Sequence, residues 1–382
     1  MRDAVICEAI RTPVGKRGGA LSGVHAADLS AHVLKSLVER TGIDPAQVDD
    51  VIWGCVSQVG EQTGDIGRTA ALVAGWPESV PGTTIDRQCG SSQQSLAFAA
   101  AGVISGQYDV AVAGGVEMMS RVPMGSTSSN KDFGRPFAES WLARYGQLPN
   151  QGIGAEMIAE QWGFSRTELD EFSLRSHEKA AKAQDDGAFD SQIVPVETPD
   201  GVVSADEGVR RGGTVEKLAT LPTPFKEDGV ISAGNASQIS DGSAAMIVTT
   251  SEKAKELGLT PLVRVHTTVL AANDPIIMLT APIPATEKAI KRSGLSLDDI
   301  GVFEVNEAFA PVPMAWMKDI GVSEDRLNPT GGAIALGHPL GGSGARIMAT
   351  MIHYMLNNDV KYGLQTMCEG GGQANATILE KL

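Results

Sequence analysis

The chain contains no run of about 18 consecutive apolar residues, so nothing in it reads as a membrane-spanning helix. It has no basic excess. Its 31 Lys and Arg stand against 46 Asp and Glu, a formal net charge of −15. That balance speaks against nucleic acid, whose phosphates need a basic surface, and against docking on an anionic membrane. A polyanionic ligand is then bound only where a local basic cluster overrides the global field. Cysteines are few: Cys7, Cys55, Cys89 and Cys368 are widely scattered, with no CxxC pair and no metal-ligand spacing. No metal site is expected, and the cysteines are either buried packing residues or reactive groups in a reducing compartment. The amino terminus enters directly into Ala4-Val5-Ile6-Cys7 without the basic and apolar regions of a signal peptide, which gives a cytoplasmic expectation.

A length of 382 residues suits two or three domains, and 42% hydrophobic with 20% charged residues is the balance of an ordinary globular protein. The chain also echoes itself. Gly42-Ile43-Asp44-Pro45 followed by Val48 to Trp53 matches Gly294-Leu295-Ser296 followed by Leu297 to Phe303; each reads as a helix end, an acidic turn and a buried strand. A second pair is longer. One copy has the strand Thr83–Asp86, a Cys89-Gly90-Ser91-Ser92 turn, a small-residue helix from Ala97 to Ile104 and the strand Val110–Ala113. The other has a Gly341-Gly342-Ser343-Gly344 turn, a helix from Ile347 to Met355 and a strand from Gly363 to Met367. Strands alternating with helices imply βαβ units in parallel or mixed sheets.

The stretch from 119 to 235 differs. It holds a Ser-rich loop at Ser126–Asn130 and a helical pattern from Thr167 to Ala183, with Leu169, Phe172, Ser173, Ser176 and Ala180 on one face. Thr167, with Asp170 three residues on, resembles a capping pattern. Its place directly after the Cys89 unit favours a lid over a surface domain without a role.

Four short segments carry chemistry. Cys89 sits between a strand and a helix whose first turn is Gly90-Ser91-Ser92-Gln93. Unpaired N–H groups and the helix dipole there favour a thiolate and can hold an oxyanion. Alone, a packing cysteine reads equally well. His338, fixed between Gly337 and Pro339, suits a rigid general base better than a core histidine. Cys368 ends a buried strand and opens Gly370-Gly371-Gly372, where a ligand can approach the backbone. Asn306 follows the strand Val302–Val305, and on its own reads as a simple cap.

Together, Cys89-Gly90-Ser91, Asn306-Glu307-Ala308-Phe309, Gly337-His338-Pro339 and Cys368-Glu369-Gly370 resemble the four signature blocks of the thiolase family, in family order and spacing, and the resemblance covers essentially the whole chain. It implies an α/β fold with a five-layered αβαβα core built from two similar halves, plus an inserted loop (lid) domain. The halves are expected at 1–118 with 236–262 and at 263–382, and the lid at 119–235. It implies an acyltransferase that cleaves a 3-ketoacyl-coenzyme A with coenzyme A, or runs the reverse Claisen condensation, through an acyl-cysteine. Cys89 would be the nucleophile and His338 its base. His338 and a water on Asn306 would form one oxyanion site, and the N–H groups of Cys89 and Gly370 the other. Cys368 would be the second acid and base. Coenzyme A and acyl-CoA would be substrates, with no tightly bound cofactor, and the enzyme would be a homodimer or homotetramer.

For coenzyme A, Ala233–Ser237 resembles the loop that contacts pantetheine, with Ser237 as the hydrogen-bonding position; Ala308 and Phe309 belong to the same surface. Phe225 matches an aromatic near the adenine and Arg210 a basic residue that packs on it. Arg210, Arg211, Lys217 and Lys226 stand against one acid, Glu216, as a basic island or else as a solvated face. Two departures stand out. Many short-chain biosynthetic members carry a His-Met pair where this chain reads Asn150-Gln151-Gly152, and Glu369 follows Cys368 where smaller residues are usual. The first points away from acetoacetyl specificity and towards a degradative enzyme. The alternatives are a decarboxylating ketoacyl synthase, which normally has a second histidine where Cys368 stands, and a non-catalytic acyl-CoA-binding protein on the same fold.

Overall fold

The computed structural model describes residues 2–382. The chain opens with β1 (Val5–Arg11), a short β2 (Gly15–Lys16), α1 (Ala26–Thr41), β3 (Asp50–Gly54), α2 (Ile66–Val73), β4 (Gly82–Ile85), α3 (Ser91–Ser105) and β5 (Val110–Met118). Then come α4 (Glu139–Tyr145), α5 (Gln151–Trp162), α6 (Arg166–Asp185), the hairpin β6 (Val196–Thr198) and β7 (Gly201–Val203), and α7 (Val215–Ala219). The chain continues with β8 (Ser240–Thr249), α8 (Ser251–Glu256), β9 (Val263–Ala272), α9 (Pro282–Ser293), β10 (Val302–Val305) and α10 (Pro311–Ile320). It closes with α11 (Ala333–Leu336), α12 (Leu340–Asn357), β11 (Tyr362–Glu369) and β12 (Gln373–Lys381).

The sheet runs β10-β11-β12-β9-β1-β8-β5-β3-β4, with parallel and antiparallel pairs mixed. It is two half-sheets joined by one short seam, where Val5 and Ile6 of β1 meet Arg264 and Val263 of β9. The halves repeat one order. In the first it is β4-β3-β5-β8-β1; in the second, β10-β11-β12-β9, with the fifth strand reduced to the parallel bridge between Phe303 and Leu327. The duplication expected from Gly42 and Gly294 is present in detail: each glycine is a left-handed helix C-cap, followed by a short 3₁₀ turn and then β3 or β10.

Five layers follow from side-chain size on the two faces of each strand. On β5, Val110, Val112 and Val116 face an outer core under α1 and α2, while Ala111 and Ala113 face the central helices. Small residues there let α3 and α12 pack on each other and on strands of both halves. Beyond the second half-sheet, α9 and α10 form the other outer layer. One expectation fails here. Gly341 to Gly344 is not a turn but the first turn of α12. The glycines serve close approach: a Cβ on Gly341 would lie 2.6 Å from Cys55 Cα and from the Val116 carbonyl oxygen.

Between β5 and β8, α6 buries Leu169, Phe172, Ser173, Ser176 and Ala180 as its period requires. Its cap is Ser165, not Thr167: Ser165 and Glu168 make a reciprocal capping box, which fixes the start two residues earlier. This segment packs on the second half through Leu169 and Phe172, and through Ala180 against Ala335 and Leu336. A fully buried bidentate pair, Arg11 to Asp206 at 2.7 and 2.9 Å, ties it to β1. No described helix is long and apolar enough to cross a membrane.

Candidate functional site

Cys89 lies in the turn between β4 and α3. Ser91 locks that turn, its hydroxyl donating to Gln88 O (2.6 Å) and accepting from Arg87 N–H (2.9 Å). Gln88 is held at φ 48°, a left-handed conformation that a non-glycine residue keeps only when its surroundings enforce it. The Cys89 side chain is thereby turned inward, among Met119, Leu340, Ile347 and Met367. The helix N-terminus was expected to make this thiol more acidic. Burial wins instead and pushes it well up, with Cys368 and Glu369 adding to the rise and its own backbone amide opposing. Cys89 therefore needs a base beside it.

His338 precedes α12 as Cys89 precedes α3. Its N–H donates to Ser240 Oγ (3.1 Å), and its Nδ1 lies 2.6 Å from Ser343 Oγ. The single proton of the Ser343 hydroxyl goes to the Pro339 carbonyl (2.8 Å), so Nδ1–H must be the donor and Nε2 carries the lone pair. Burial, reinforced by the charge of Arg346, holds His338 down at about 3, a neutral imidazole at physiological pH. Asn306, next after β10, points its Nδ2 at that Nε2 (3.4 Å). At Cys368, burial and then Glu369 raise the thiol to about 12, while its own backbone N–H, the Asn306 amide and the Ala308 N–H pull against them. One carboxamide thus bears on both groups. Its Oδ1 has no partner among the described residues. Gly370 is at the same place: a Cβ there would lie 2.7 Å from Gln88 Oε1, beside Cys89. Sequence motifs spread over the whole chain thus converge on one spot. Cys7 and Cys55 are buried elsewhere in the outer core, their thiols raised by burial.

A cavity of about 720 Å³ lies beside this spot, lined by Ser237, Phe225 and Arg210 and, from the first half, by Lys16 and Arg17. Its wall is bonded to the segments that carry Asn306 and His338: Ser237 N–H donates to Ala308 O (2.9 Å), Ala236 bridges to Phe309, and Gln238 O accepts from His338 N–H (3.3 Å). Ala308 and Phe309 are buried behind this wall, with Phe309 edge-on to Phe225 at 6.0 Å. The basic island dissolves on inspection. Arg211 is paired with Asp185 (2.8 Å) and Lys226 with Glu160 (3.2 Å), so Arg210 alone of the four lines the cavity. Lys16 and Arg17 were missed, although Gly15-Lys16-Arg17-Gly18-Gly19, a basic pair inside a glycine turn, was visible. Among the described residues there is no cluster of three or more His, Cys, Asp or Glu that could hold a metal ion.

The family model described as thiolase, N-terminal domain, matches residues 4–252, and that described as thiolase, C-terminal domain, matches 259–381. The chain belongs to the thiolase family. This thiolase is 50% identical to the steroid 3-ketoacyl-CoA thiolase FadA6 of Mycobacterium tuberculosis, over 100% of the chain and 95% of that relative. It is 45% identical to a 3-ketoacyl-CoA thiolase of Escherichia coli, over the full length of both. A crystal structure of the Bacillus anthracis acetyl-CoA acetyltransferase superposes with a TM-score of 0.92 at 39% identity, over 100% of this chain and 99% of that one. As a thiolase the chain is an acyltransferase that works on coenzyme A thioesters, with the duplicated five-layered fold described above.

Proposed function

We propose that this thiolase cleaves 3-ketoacyl-CoA with coenzyme A through Cys89, that its acyl groups are bulky, and that residues 119–235 act as the lid over the coenzyme A cavity. The observation that supports the residue roles best is the Asn306 carboxamide, which points at His338 Nε2 and favours the thiolate of Cys368. His338 Nε2 takes the Cys89 proton, and the thiolate adds to the 3-keto carbon. The C2–C3 bond breaks, its electron pair passing to C2 as the enolate of acetyl-CoA, and the Cys368 thiol delivers a proton to C2. The Cys368 thiolate then takes the proton of incoming coenzyme A, whose sulfur attacks the acyl-Cys89 carbonyl. The bond to Cys89 breaks, and Cys89 recovers its proton from His338. Once charged, His338 presents Nε2–H as an oxyanion donor, alongside a water on Asn306. The Cys89 and Gly370 N–H groups serve the second oxyanion. Lys16, Arg17 and Arg210 neutralise the phosphates and pack on the adenosine, Phe225 meets the adenine, and Ser237 bonds the pantetheine.

The bulky substrate class rests on the lid. Asn150, standing where short-chain members have histidine, is spent on capping α5 through the Ile153 N–H (3.1 Å). Gly152 lies against the Phe225 ring so closely that any Cβ would overlap it. The 50% identical relative bears a steroid substrate in its name. We place the enzyme in the cytoplasm, in degradative lipid oxidation, as a homodimer or homotetramer. The open edge strand β4 and the exposed Met124 and Phe133 support self-association.

The test is thiolysis across a series of 3-ketoacyl-CoA lengths with ring-bearing members. A ring-bearing substrate is expected to exceed acetoacetyl-CoA in kcat/KM by on the order of tenfold or more. A preference for acetoacetyl-CoA sinks the substrate class.

A further inference from the structure

Glu369 has no role in the chemistry above, yet it is wholly buried next to Cys368. It alternates with Cys368 along β11 and so points to the other side of the strand. There it reaches under the turn that carries the nucleophile: a Cβ on Gly90 would overlap Glu369 Oε1 and lie 2.7 Å from Asn375 Nδ2. Asn375 in turn donates to the Gly90 carbonyl (3.0 Å). Neither oxygen of Glu369, nor Asn375 Oδ1, has a hydrogen-bond partner among the described residues. The Asn375 N–H is near enough to favour the charge, but a carboxylate with so little around it in a dry interior is costly, and a neutral acid is far less so.

The charged and titratable groups that face it come from every neighbouring element. Arg87 and Asp86 lie in the turn after β4, Cys89 lies before α3, and Cys368 lies on β11. Asn375 on β12 is neutral. Arg87, the one cation, spends Nη1 on Gln373 Oε1 (3.1 Å). Burial raises Glu369 to about 8, against the pull of Arg87. Its negative charge, once formed, raises both Cys89 and Cys368.

We propose that Glu369 is a positioning residue of the thiolase reaction, supporting the Cys89 turn as a neutral acid and, as a carboxylate, opposing thiolate formation at both reactive thiols. No covalent step is added; one proton leaves Glu369 to solvent as pH rises. The inference rests on Cys89 and Cys368 being the reactive pair. Glu369 becomes a brake on the alkaline side, because its ionisation opposes the thiolate formation that rising pH would otherwise bring.

The experiment is the pH profile of iodoacetamide alkylation, with the modified residue identified by mass spectrometry, alongside steady-state kcat and KM. In the native enzyme the alkylation rate should rise with a shallow, two-step profile. Glu369→Gln keeps the shape and removes the ionisation, so its rise should be single and, above pH 8, roughly three- to tenfold faster, since one pKa unit is a tenfold change in thiolate. Its kcat profile should shift the same way while the KM for coenzyme A stays put, a split that a merely structural residue would not give. An infrared difference spectrum, native minus Glu369→Gln at pH 7, should show a protonated carboxyl band that fades as pH rises. Should Glu369→Gln fail to fold, Arg87→Gln reads the same device: with the cation gone, the second step should move to higher pH. Superimposable profiles, or the absence of the carboxyl band, overturn the proposal. Alkylation that falls on a cysteine other than Cys89 or Cys368 overturns instead the assignment of the reactive pair.

Discussion

The two halves of the molecule offer the same three stations and fill them differently. The residue after β3 in the first half is Cys55, and the residue after its counterpart β10 in the second half is Asn306. The residue two places before the central helix is Cys89 in one and His338 in the other. The penultimate residue of the next strand is Glu117 in one and Cys368 in the other. Glu117 is saturated: it accepts from Val56 N–H, Ser57 N–H, Gln62 Nε2 and Gly341 N–H, all within 3.0 Å. Cys55 is fully buried in the outer core, its thiol raised by burial. In the second half the equivalent positions keep capacity in hand: an Nε2 lone pair on His338, a free Oδ1 on Asn306 and a titratable thiol on Cys368. On the proposed roles, a duplicated scaffold separates into a half that clamps and a half that reacts, joined at the one station where both carry a reactive group.

The strongest way to break this comparison is at that station. Cys89→Ala is expected to lower turnover by on the order of 10³-fold or more and to abolish acyl labelling, while Cys55→Ala keeps most of its activity. An acyl group found by mass spectrometry on Cys55 or Cys368 would reverse the assignment. Next come the two proton carriers. His338→Ala and Cys368→Ser should each lose on the order of 10²- to 10⁴-fold in overall rate, but in different half-reactions. In single-turnover assays with acetyl-CoA, Cys368→Ser should still acylate Cys89 and then fail in methyl hydrogen exchange. His338→Ala should stall at acylation. The opposite pattern means that the roles are exchanged.

The clamp is tested by stability rather than rate. Glu117→Ala orphans three backbone N–H groups, two of them buried, and denaturant unfolding should show a loss of about 3 kcal/mol or more. Cys368→Ala, at the matching position, should cost only ~1 kcal/mol. Equal losses would erase the distinction between the halves. The smallest effects belong to the cavity rim. Lys16→Ala and Arg210→Ala should each raise the KM for coenzyme A roughly fivefold, about 1 kcal/mol, with little change in kcat. Arg211→Ala, whose guanidinium already faces Asp185, should leave KM where it is. A rise with Arg211→Ala as large as that with Arg210→Ala would restore the basic island.

What could be read from the sequence was what depends on neighbours along the chain. Cys89, Asn306, His338 and Cys368 each sit at a junction between elements, and local turn and glycine signals mark such junctions. The Gly42 and Gly294 repeats showed the duplication for the same reason. What could not be read depends on distant partners. Asp185 and Glu160, which neutralise Arg211 and Lys226, lie far from them in the sequence. Gly341 to Gly344 looked like a turn because the backbone that crowds it, at Cys55 and Val116, belongs to the other half. The Cys89 thiol was expected to be acidic because the helix terminus is visible in the sequence and the surrounding Met119, Leu340 and Met367 are not. Ser165 could have been found: its capping box with Glu168 is local, and Thr167 was simply the weaker of two nearby caps.

The glycine seam between the central helices also limits how the enzyme can move. With a backbone oxygen and a Cα of the first half pressed onto Gly341, the block that carries nucleophile and base has no free volume through which to slide or hinge. Parting the halves would have to break this packing, so the expected route for substrate and product is past residues 119–235, with the Cys89 and His338 turns staying in register from one turnover to the next.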